Sequence, residues 1–512
     1  MADTKGESAG IARTSAGVAL WAGLALLSGF AMDATIAALF GIGMLTDAFF
    51  IAATIPFALT AILAATANQA LVPQFNTWYE QDPRSVANSR VGGLIGALLL
   101  SASVVAVFGI ALSSVLPNIL ASGASAETRS VASSLIALLF FMLIPRTAAE
   151  SLRALLNARF SFTIPAASPL VLNIVALTTT ILLEDRFGIT AVAIGYLTGS
   201  VGQVIVLATA AWRRSIRIRP TWGFSDPEVR AGLRLLVLPT AATGLNLFAR
   251  VFERFLASFL ASGAITIISY AWRILNAIGG TVFFRSVTVV LIPRLTKHKG
   301  DPEATKRILR AGVRVMLAIS IPLMTFLMIF AEPAIGVLFQ RGAFSGEDAA
   351  ALGSVLAIYV ITLPFVGVTR ALLTYFYSRL DMVTPFMNRV INTAVNMAFG
   401  AILIVPFGLT GLALGYVLAT AASFAHAWFM TRRRVHVFNR RMLLHTLTLT
   451  AASLIAVGLA WAVYNALPSA ASSFERFATL AVAGVVWLIV LAISFAMLSV
   501  DYRPSDIKRM IR

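Results

Sequence analysis

The sequence predicts an all-α polytopic membrane protein with fourteen transmembrane helices. They form two six-helix lobes related by a parallel repeat, followed by two C-terminal helices. Three observations predict this fold. The composition is 59% hydrophobic and only 12% charged, about half the charged share of a soluble protein. Apolar segments long enough to cross about 30 Å of hydrocarbon recur along the chain. Short motifs also recur about 220 residues apart.

Fourteen apolar segments are placed in order along the chain. The predicted spans are 15–41, 46–77, 91–117, 129–157, 161–183, 188–211, 232–260, 264–293, 308–331, 348–377, 384–405, 408–431, 443–466 and 477–500. The polar start, MADTKGESAG, leads into a span that is too long for the apolar core of a signal peptide, so no cleavable signal is expected.

Lysine and arginine are distributed very unevenly between the loops. Of the 40 basic residues, 29 fall on the side that holds both termini. Four fall on the opposite side, namely Arg129, Arg186, Arg341 and Arg476. Because short cytoplasmic loops are enriched in Lys and Arg, both termini are predicted to be cytoplasmic. The net charge of +18 then reflects topology and contact with an anionic leaflet, and nucleic acid is not an expected partner.

Two closely related segments indicate an internal duplication. FGITAVAIGY at 187–196 recurs as FGLTGLALGY at 407–416, and DAFF at 47–50 has a looser echo in YAWR at 270–273. The predicted domains are therefore an N-terminal lobe at 1–222, a C-terminal lobe at 223–436, and two further helices with a tail at 437–512. Because six spans is an even number, the two lobes share one orientation, and a substrate site is expected between them near the middle of the membrane.

Seven arginines remain after the 33 basic residues assigned to the two sides, and all seven lie inside predicted spans. They are Arg146, Arg250, Arg254, Arg273, Arg285, Arg370 and Arg389. An arginine at the centre of a bilayer costs about 2.5–3.5 kcal/mol on insertion scales, so each requires a polar partner, a water-lined cavity or a route to the membrane surface.

Arg250 and Arg273 are the deepest of these arginines. They flank a tight turn at 261–264, and the helical rise places both about 15–18 Å from the outer end of their spans. Asn246 and Arg254 share the helix face of Arg250, and Glu253 is spaced to pair with it. These residues predict a basic patch in a water-lined pocket.

Other polar residues have weaker assignments. Asn276 lies one turn beyond Arg273. Asp33 is predicted to lie within the hydrocarbon region of span one, where it could pair with a cavity arginine. Asp47 is expected to cap the start of span two. Arg370 either faces the cavity or extends to the cytoplasmic surface. Arg146 is interpreted as a structural partner of Glu150, with substrate contact as the alternative.

Several segments together resemble the MurJ/MviN family of lipid II flippases, within the multidrug/oligosaccharidyl-lipid/polysaccharide exporter superfamily. The segments are DATIAALFGIGMLTDAFFIAATIP, ALVPQF, NARFSFTIPAASPLVLNI, FLASGAITIISYAWRI, LFQRGAFS and FYSRLDMVTP. In this resemblance Arg273 matches a cavity arginine of the family, and Asp33 and Asp47 match family aspartates. The arginines usual in spans one and two are replaced by Leu26, Met32, Thr60 and Ala61, whereas span seven supplies Arg250 and Arg254.

The resemblance implies a V-shaped cationic cavity and alternating access. It implies transport of undecaprenyl-pyrophosphate-linked disaccharide-pentapeptide from the cytoplasmic to the periplasmic leaflet of a bacterial inner membrane. Spans thirteen and fourteen would hold the lipid tail. Arg250, Arg254 and Arg273 are the predicted pyrophosphate ligands, because a guanidinium forms paired hydrogen bonds with phosphate oxygens. Asn276, Asp33 and Asn246 would complete the site, with Asp47, Glu253, Arg370 and Arg146 as secondary contacts.

Other functions remain open from the sequence. An exporter of another lipid-linked oligosaccharide fits similar chemistry, whereas a cation-coupled drug antiporter requires buried carboxylates. A membrane glycosyltransferase requires larger outward loops, so no catalytic residue is assigned. The chain has no cysteine and no Walker A motif. We therefore expect no cofactor or metal, coupling to membrane potential or a monovalent ion, and a monomer.

Overall fold

The regular structure of the protein is helical throughout its described residues. The computed structural model describes residues 3–216, 218–278, 284–467 and 472–497. The first ten helices are α1 Asp3–Phe40, α2 Met44–Thr66, α3 Val72–Gln81, α4 Arg84–Ala111, α5 Leu116–Leu120, α6 Ala126–Phe141, α7 Leu143–Ala158, α8 Thr163–Phe187, α9 Thr190–Arg213 and α10 Pro227–Ala257. The remaining eight are α11 Ala264–Asn276, α12 Phe284–Lys297, α13 Pro302–Phe339, α14 Gly346–Tyr359, α15 Thr362–Tyr377, α16 Val383–Arg432, α17 Arg440–Ala466 and α18 Ser473–Met497.

Most of the predicted spans coincide with apolar helices. Within the described ranges, eleven helical stretches are long and apolar enough to cross a membrane. One of them, α16, is interrupted at Gly408 and holds two predicted spans. Predicted spans seven and eight correspond to α10 and to α11 with α12, which are not among the eleven. The apolar character of α10 is reduced by Arg250, Glu253 and Arg254.

The chain forms two compact units, Met1–Thr266 and Ile267–Arg512. In the first unit, α8 packs against α1 and α9, and α2 packs against α6, α7 and α10. In the second unit, α13 packs against α14, α15 and α17, and α17 packs against α18. The lobe boundaries predicted at residues 222 and 436 are based on the sequence repeat and not on the packing of helices into these two units. They stay a prediction.

Each unit contains a buried apolar cluster where its helices meet. In the first unit, Phe75 and Trp78 of α3 pack with Leu94 of α4 and Leu155 of α7. In the second, Phe330 of α13 packs with Val457 of α17 and with α18. This second cluster attaches the two C-terminal helices to the rest of their unit, because dispersion contacts between closely fitted side chains hold helices together in a membrane.

Unusual backbone conformations recur at the predicted repeat offset. Gly188 has φ 53° and ψ −136°, and Gly408 has φ 54° and ψ −127°. Phe160 and Leu380, also 220 residues apart, have φ values of 56° and 61°. Since positive φ is uncommon for residues other than glycine, its recurrence at matching positions supports a duplicated backbone.

A polar contact between helices also recurs. In the first unit, the Gln203 side-chain amide donates to the Ser168 hydroxyl at 3.0 Å. At the corresponding positions of the second unit, the Ser423 hydroxyl donates to the Asn388 side-chain carbonyl at 2.7 Å. Asn388 therefore binds a neighbouring helix segment, as expected for polar residues between membrane helices. The duplication predicted from short motifs thus extends to side-chain packing.

Replacing Gly188 by alanine is expected to destabilise the first unit by about 1–3 kcal/mol, because an L-residue is strained at this backbone conformation. An added Cβ would have no neighbour within 4 Å, so a steric clash is not involved. The helical Gly458 also has open space and is the matched control, where Gly→Ala should be neutral or stabilising. Thermal unfolding in detergent measures both variants, and equal stabilities would contradict the assignment of strain to Gly188.

Candidate substrate site

Arg254 is held by α2. Its Nη1 donates to the backbone carbonyl of Phe50 at 3.0 Å and also to the Thr54 hydroxyl. Thr54 itself donates to the same carbonyl at 2.7 Å. A charged donor is well stabilised when it binds such acceptors out of bulk water. Arg254, predicted as a substrate ligand, therefore also fixes α10 against α2.

Arg250 has a different environment, one turn earlier on α10. Its side chain is exposed, whereas Glu253 is 5% exposed and lies within electrostatic range of it. A direct ion pair between Arg250 and Glu253 stays a prediction. The side chain of Asn246, predicted on the same face, lies outside the described residues. Of Arg250 and Arg254, Arg250 is the more exposed residue.

The predicted role of Asp47 as the cap of span two is wrong. Helix α2 begins at Met44 with Gly43 as its N-cap, and Thr46 bonds the Gly43 amide. The carboxylate of Asp47 instead accepts hydrogen bonds from Gly263 N at 2.6 Å and from Thr266 N at 2.8 Å. The Thr266 hydroxyl adds a third bond at 2.7 Å. Asp47 thus satisfies amides at the start of α11, where a negative charge is also favoured by the helix dipole.

The remaining predicted residues occupy distinct positions. Asp33 is 5% exposed on α1, a helix on which Met32 and Ile36 are also buried. Arg273 is half-buried on α11, and Asn276 is exposed, with its amide donating to the Trp272 carbonyl at 2.8 Å. Arg250 and Arg254 lie in the first unit, and Arg273 and Asn276 lie in the second. Their joint binding of a phosphate group stays a prediction.

Arg370 lies near two aromatic residues of the second unit. Its guanidinium lies 5.9 Å from the centroid of the buried Phe284 ring, a separation that allows a cation–π interaction. Tyr416 and Arg389 are within electrostatic range. These contacts favour the interior position over extension to the membrane surface. Two neighbouring guanidinium groups also create a region that is favourable for an anion.

The structural pairing predicted for Arg146 is present in the first unit. Its guanidinium donates to Gln203 Oε1 at 2.9 Å and lies 3.9 Å from Glu150 Oε1. Glu150 is 1% exposed and is bound more closely by Arg153, at 2.9 Å. Sequence reasoning missed the roles of Arg153 and Gln203. The repeat could have drawn attention to Gln203, because Ser423 stands 220 residues later.

A group of three aromatic rings was also missed. Trp272 on α11 lies with its ring centroid 4.8 Å from that of Tyr416 on α16 and 6.1 Å from that of Tyr359 on α14. The two tyrosine rings are 5.7 Å apart. Trp272 directly precedes Arg273, so the cluster is built on the helix that carries a predicted ligand.

The apolar helices define a polytopic membrane protein. Residues 36–494 match the family model described as "Lipid II flippase MurJ". The chain belongs to the lipid II flippase MurJ family.

Curated relatives agree with this family over most of their length. The probable lipid II flippase MurJ of Vibrio cholerae is 28% identical over 75% of this chain and 76% of its own. That of Haemophilus influenzae is 26% identical over 92% of this chain and 95% of its own. The alignments cover three quarters or more of each chain rather than one segment of it.

Solved structures show the same fold. A lipid II flippase MurJ in an inward closed conformation has a TM-score of 0.78 at 21% identity, and the match covers 94% of this chain and 99% of that one. An inward-facing multidrug resistance MATE family transporter of the MOP superfamily has a TM-score of 0.67 at 15% identity, covering 80% and 94%. At these identities the likeness concerns the fold alone.

Arg250 and Arg254 of α10 are expected to respond differently to substitution. Arg254→Gln should lower the thermal unfolding temperature, because it removes a charged donor from Phe50 and Thr54. Arg250→Gln serves as the matched control on the same helix and should leave the unfolding temperature nearly unchanged, because its side chain is exposed. If both variants unfold at the wild-type temperature, Arg254 does not hold α10 in place.

Proposed function

We propose that this protein moves lipid II from the cytoplasmic to the periplasmic leaflet of a bacterial inner membrane. The family match over residues 36–494 carries the proposal. It favours lipid II over another lipid-linked oligosaccharide and over a drug, which the sequence alone left open. The protein acts as a transporter and not as an enzyme, since the passenger crosses the membrane without a covalent change.

The cationic side chains provide the chemistry for the pyrophosphate. Arg250 and Arg273 are the principal ligands, because the planar guanidinium can donate two parallel hydrogen bonds to phosphate oxygens. Arg254 supports Arg250 by fixing α10 on α2, through the hydrogen bond to Phe50. An anion lowers the cost of keeping guanidinium groups at this depth, and the groups in turn offset the cost of bringing pyrophosphate into the membrane.

The transport cycle proceeds by alternating access of the two repeated lobes. The glycan occupies a water-filled cavity, and the polyprenyl tail stays in the membrane or along α17 and α18. Both termini are cytoplasmic, as the distribution of basic residues predicts. The membrane potential or a monovalent ion drives the cycle, the working unit is a monomer, and neither a cofactor nor nucleic acid takes part.

Reversing the charge of Arg273 is expected to abolish transport. A glutamate at this position would repel the pyrophosphate, and loss of one charged hydrogen-bonding partner alone corresponds to about tenfold or more in affinity. The measurement is complementation of cells depleted of their lipid II flippase, with lipid II exposed on the outer leaflet as the readout. Arg273→Lys should restore part of the activity.

Arg186→Glu is the matched charge reversal outside the predicted site. Arg186 is exposed near the end of α8, and its reversal should leave complementation intact. Complementation by Arg273→Glu at the wild-type level would contradict the role of Arg273. Failure of the wild-type protein to complement, with normal expression in the membrane, would contradict the assignment to lipid II.

A further inference from the structure

The aromatic cluster of the second unit is partly accessible. Tyr359 is completely buried, whereas Trp272 and Tyr416 are half-buried. The rings of Trp272 and Tyr416 are inclined by 57° with centroids 4.8 Å apart and form an angled aromatic surface, and both rings also pack against Tyr359. Indole and phenol rings combine a large apolar face with one polar hydrogen-bonding group.

The first unit contains a corresponding pair of aromatic rings that is buried from solvent. The repeat relates Trp272 to Phe49 and Tyr416 to Tyr196. Phe49 stacks on Tyr196 with centroids 6.1 Å apart, and these side chains are only 0% and 9% exposed. The fold therefore needs only an apolar, buried contact at this position. In the second unit, Trp272 and Tyr416 are partly accessible, and Trp272 also carries an indole N–H. Helix packing requires neither feature.

Anchoring to the membrane surface does not explain Trp272. Tryptophans that anchor membrane proteins lie at the level of the lipid headgroups. Trp272 follows the outer turn at 261–264 by about nine residues, which corresponds to about 13 Å of helix. Its ring also packs against Tyr359 and Tyr416 of neighbouring helices.

A cationic group lies near one ring of this aromatic surface, since Arg370 is within electrostatic range of Tyr416. A second one, Arg273, is carried by the same helix as Trp272. A ligand that contacts the rings would therefore also be close to cationic groups. A sugar attached to a phosphate has this combination, because one face of a pyranose ring is lined by C–H groups, its edge carries hydroxyls, and the phosphate is anionic.

We propose that Trp272 and Tyr416 form a saccharide subsite that holds a pyranose ring of the lipid-linked glycan. The inference rests on the proposed function and specifies which part of the passenger the second unit recognises. The C–H face of the sugar packs on the indole ring, and the indole N–H and phenol O–H bond to its hydroxyls. The pyrophosphate attached to the sugar then lies toward the arginines.

The test compares two ligands that differ in the glycan. Full-length protein in lipid nanodiscs is titrated with lipid II and with undecaprenyl pyrophosphate, which lacks the sugars and peptide. Trp272→Leu is expected to weaken lipid II binding about tenfold, a typical effect of losing an aromatic contact, while undecaprenyl pyrophosphate binding stays unchanged. Trp272→Phe should retain most of the preference for lipid II. Tyr416→Leu should lose it and provides a second measurement should Trp272→Leu fail to fold.

Phe49→Leu is the matched control, because Phe49 is the counterpart of Trp272 in the first unit. It should lower thermal stability without changing the ratio of the two affinities. The saccharide subsite is overturned if Trp272→Leu and Tyr416→Leu leave that ratio at its wild-type value, whether they weaken both ligands or neither. A wild-type protein that binds neither ligand instead overturns the proposed function, and the subsite with it.

Discussion

Charged side chains inside a membrane must find polar partners or water, and this constraint governs the arrangement of the helices. Arg254 meets it by donating to the Phe50 carbonyl and to Thr54, and Arg146 meets it through Gln203 and Glu150. The contacts with Phe50, Thr54 and Gln203 join different helices, whereas Glu150 lies on the same helix as Arg146. The buried polar groups thus fix how the helices pack, since membrane helices gain little from the hydrophobic effect once inserted.

The two units share a duplicated backbone but differ in the exposure of their side chains. Both copies retain the backbone turn at Gly188 and Gly408. By contrast, the aromatic contact centred on Tyr196 is sealed, whereas the one centred on Tyr416 is partly accessible and near Arg370. Since the two copies share this backbone turn, the greater exposure of the contact in the second unit is not required by the fold.

The sequence predicted most of the spans and the repeat, because hydropathy and short turn motifs are local properties of the chain. It also predicted the pairing of Arg146 with Glu150, which lie one helical turn apart. It could not predict that Asp47 binds the amides of Gly263 and Thr266, because these residues are more than 200 positions away and meet only through packing. That Arg254 of α10 binds Phe50 and Thr54 of α2 was not predicted for the same reason.

Reaction of single cysteines with a charged, membrane-impermeant thiol reagent tests most directly whether water reaches the intramembrane arginines. The protein contains no cysteine, so each introduced thiol is the only one that can react. Cysteines replacing Arg250 and Arg273 should react rapidly, and lipid II should protect them, whereas a cysteine replacing the exposed apolar Ile174 of α8 should react slowly. Reaction at both arginine positions as slow as at Ile174 would contradict a water-lined site.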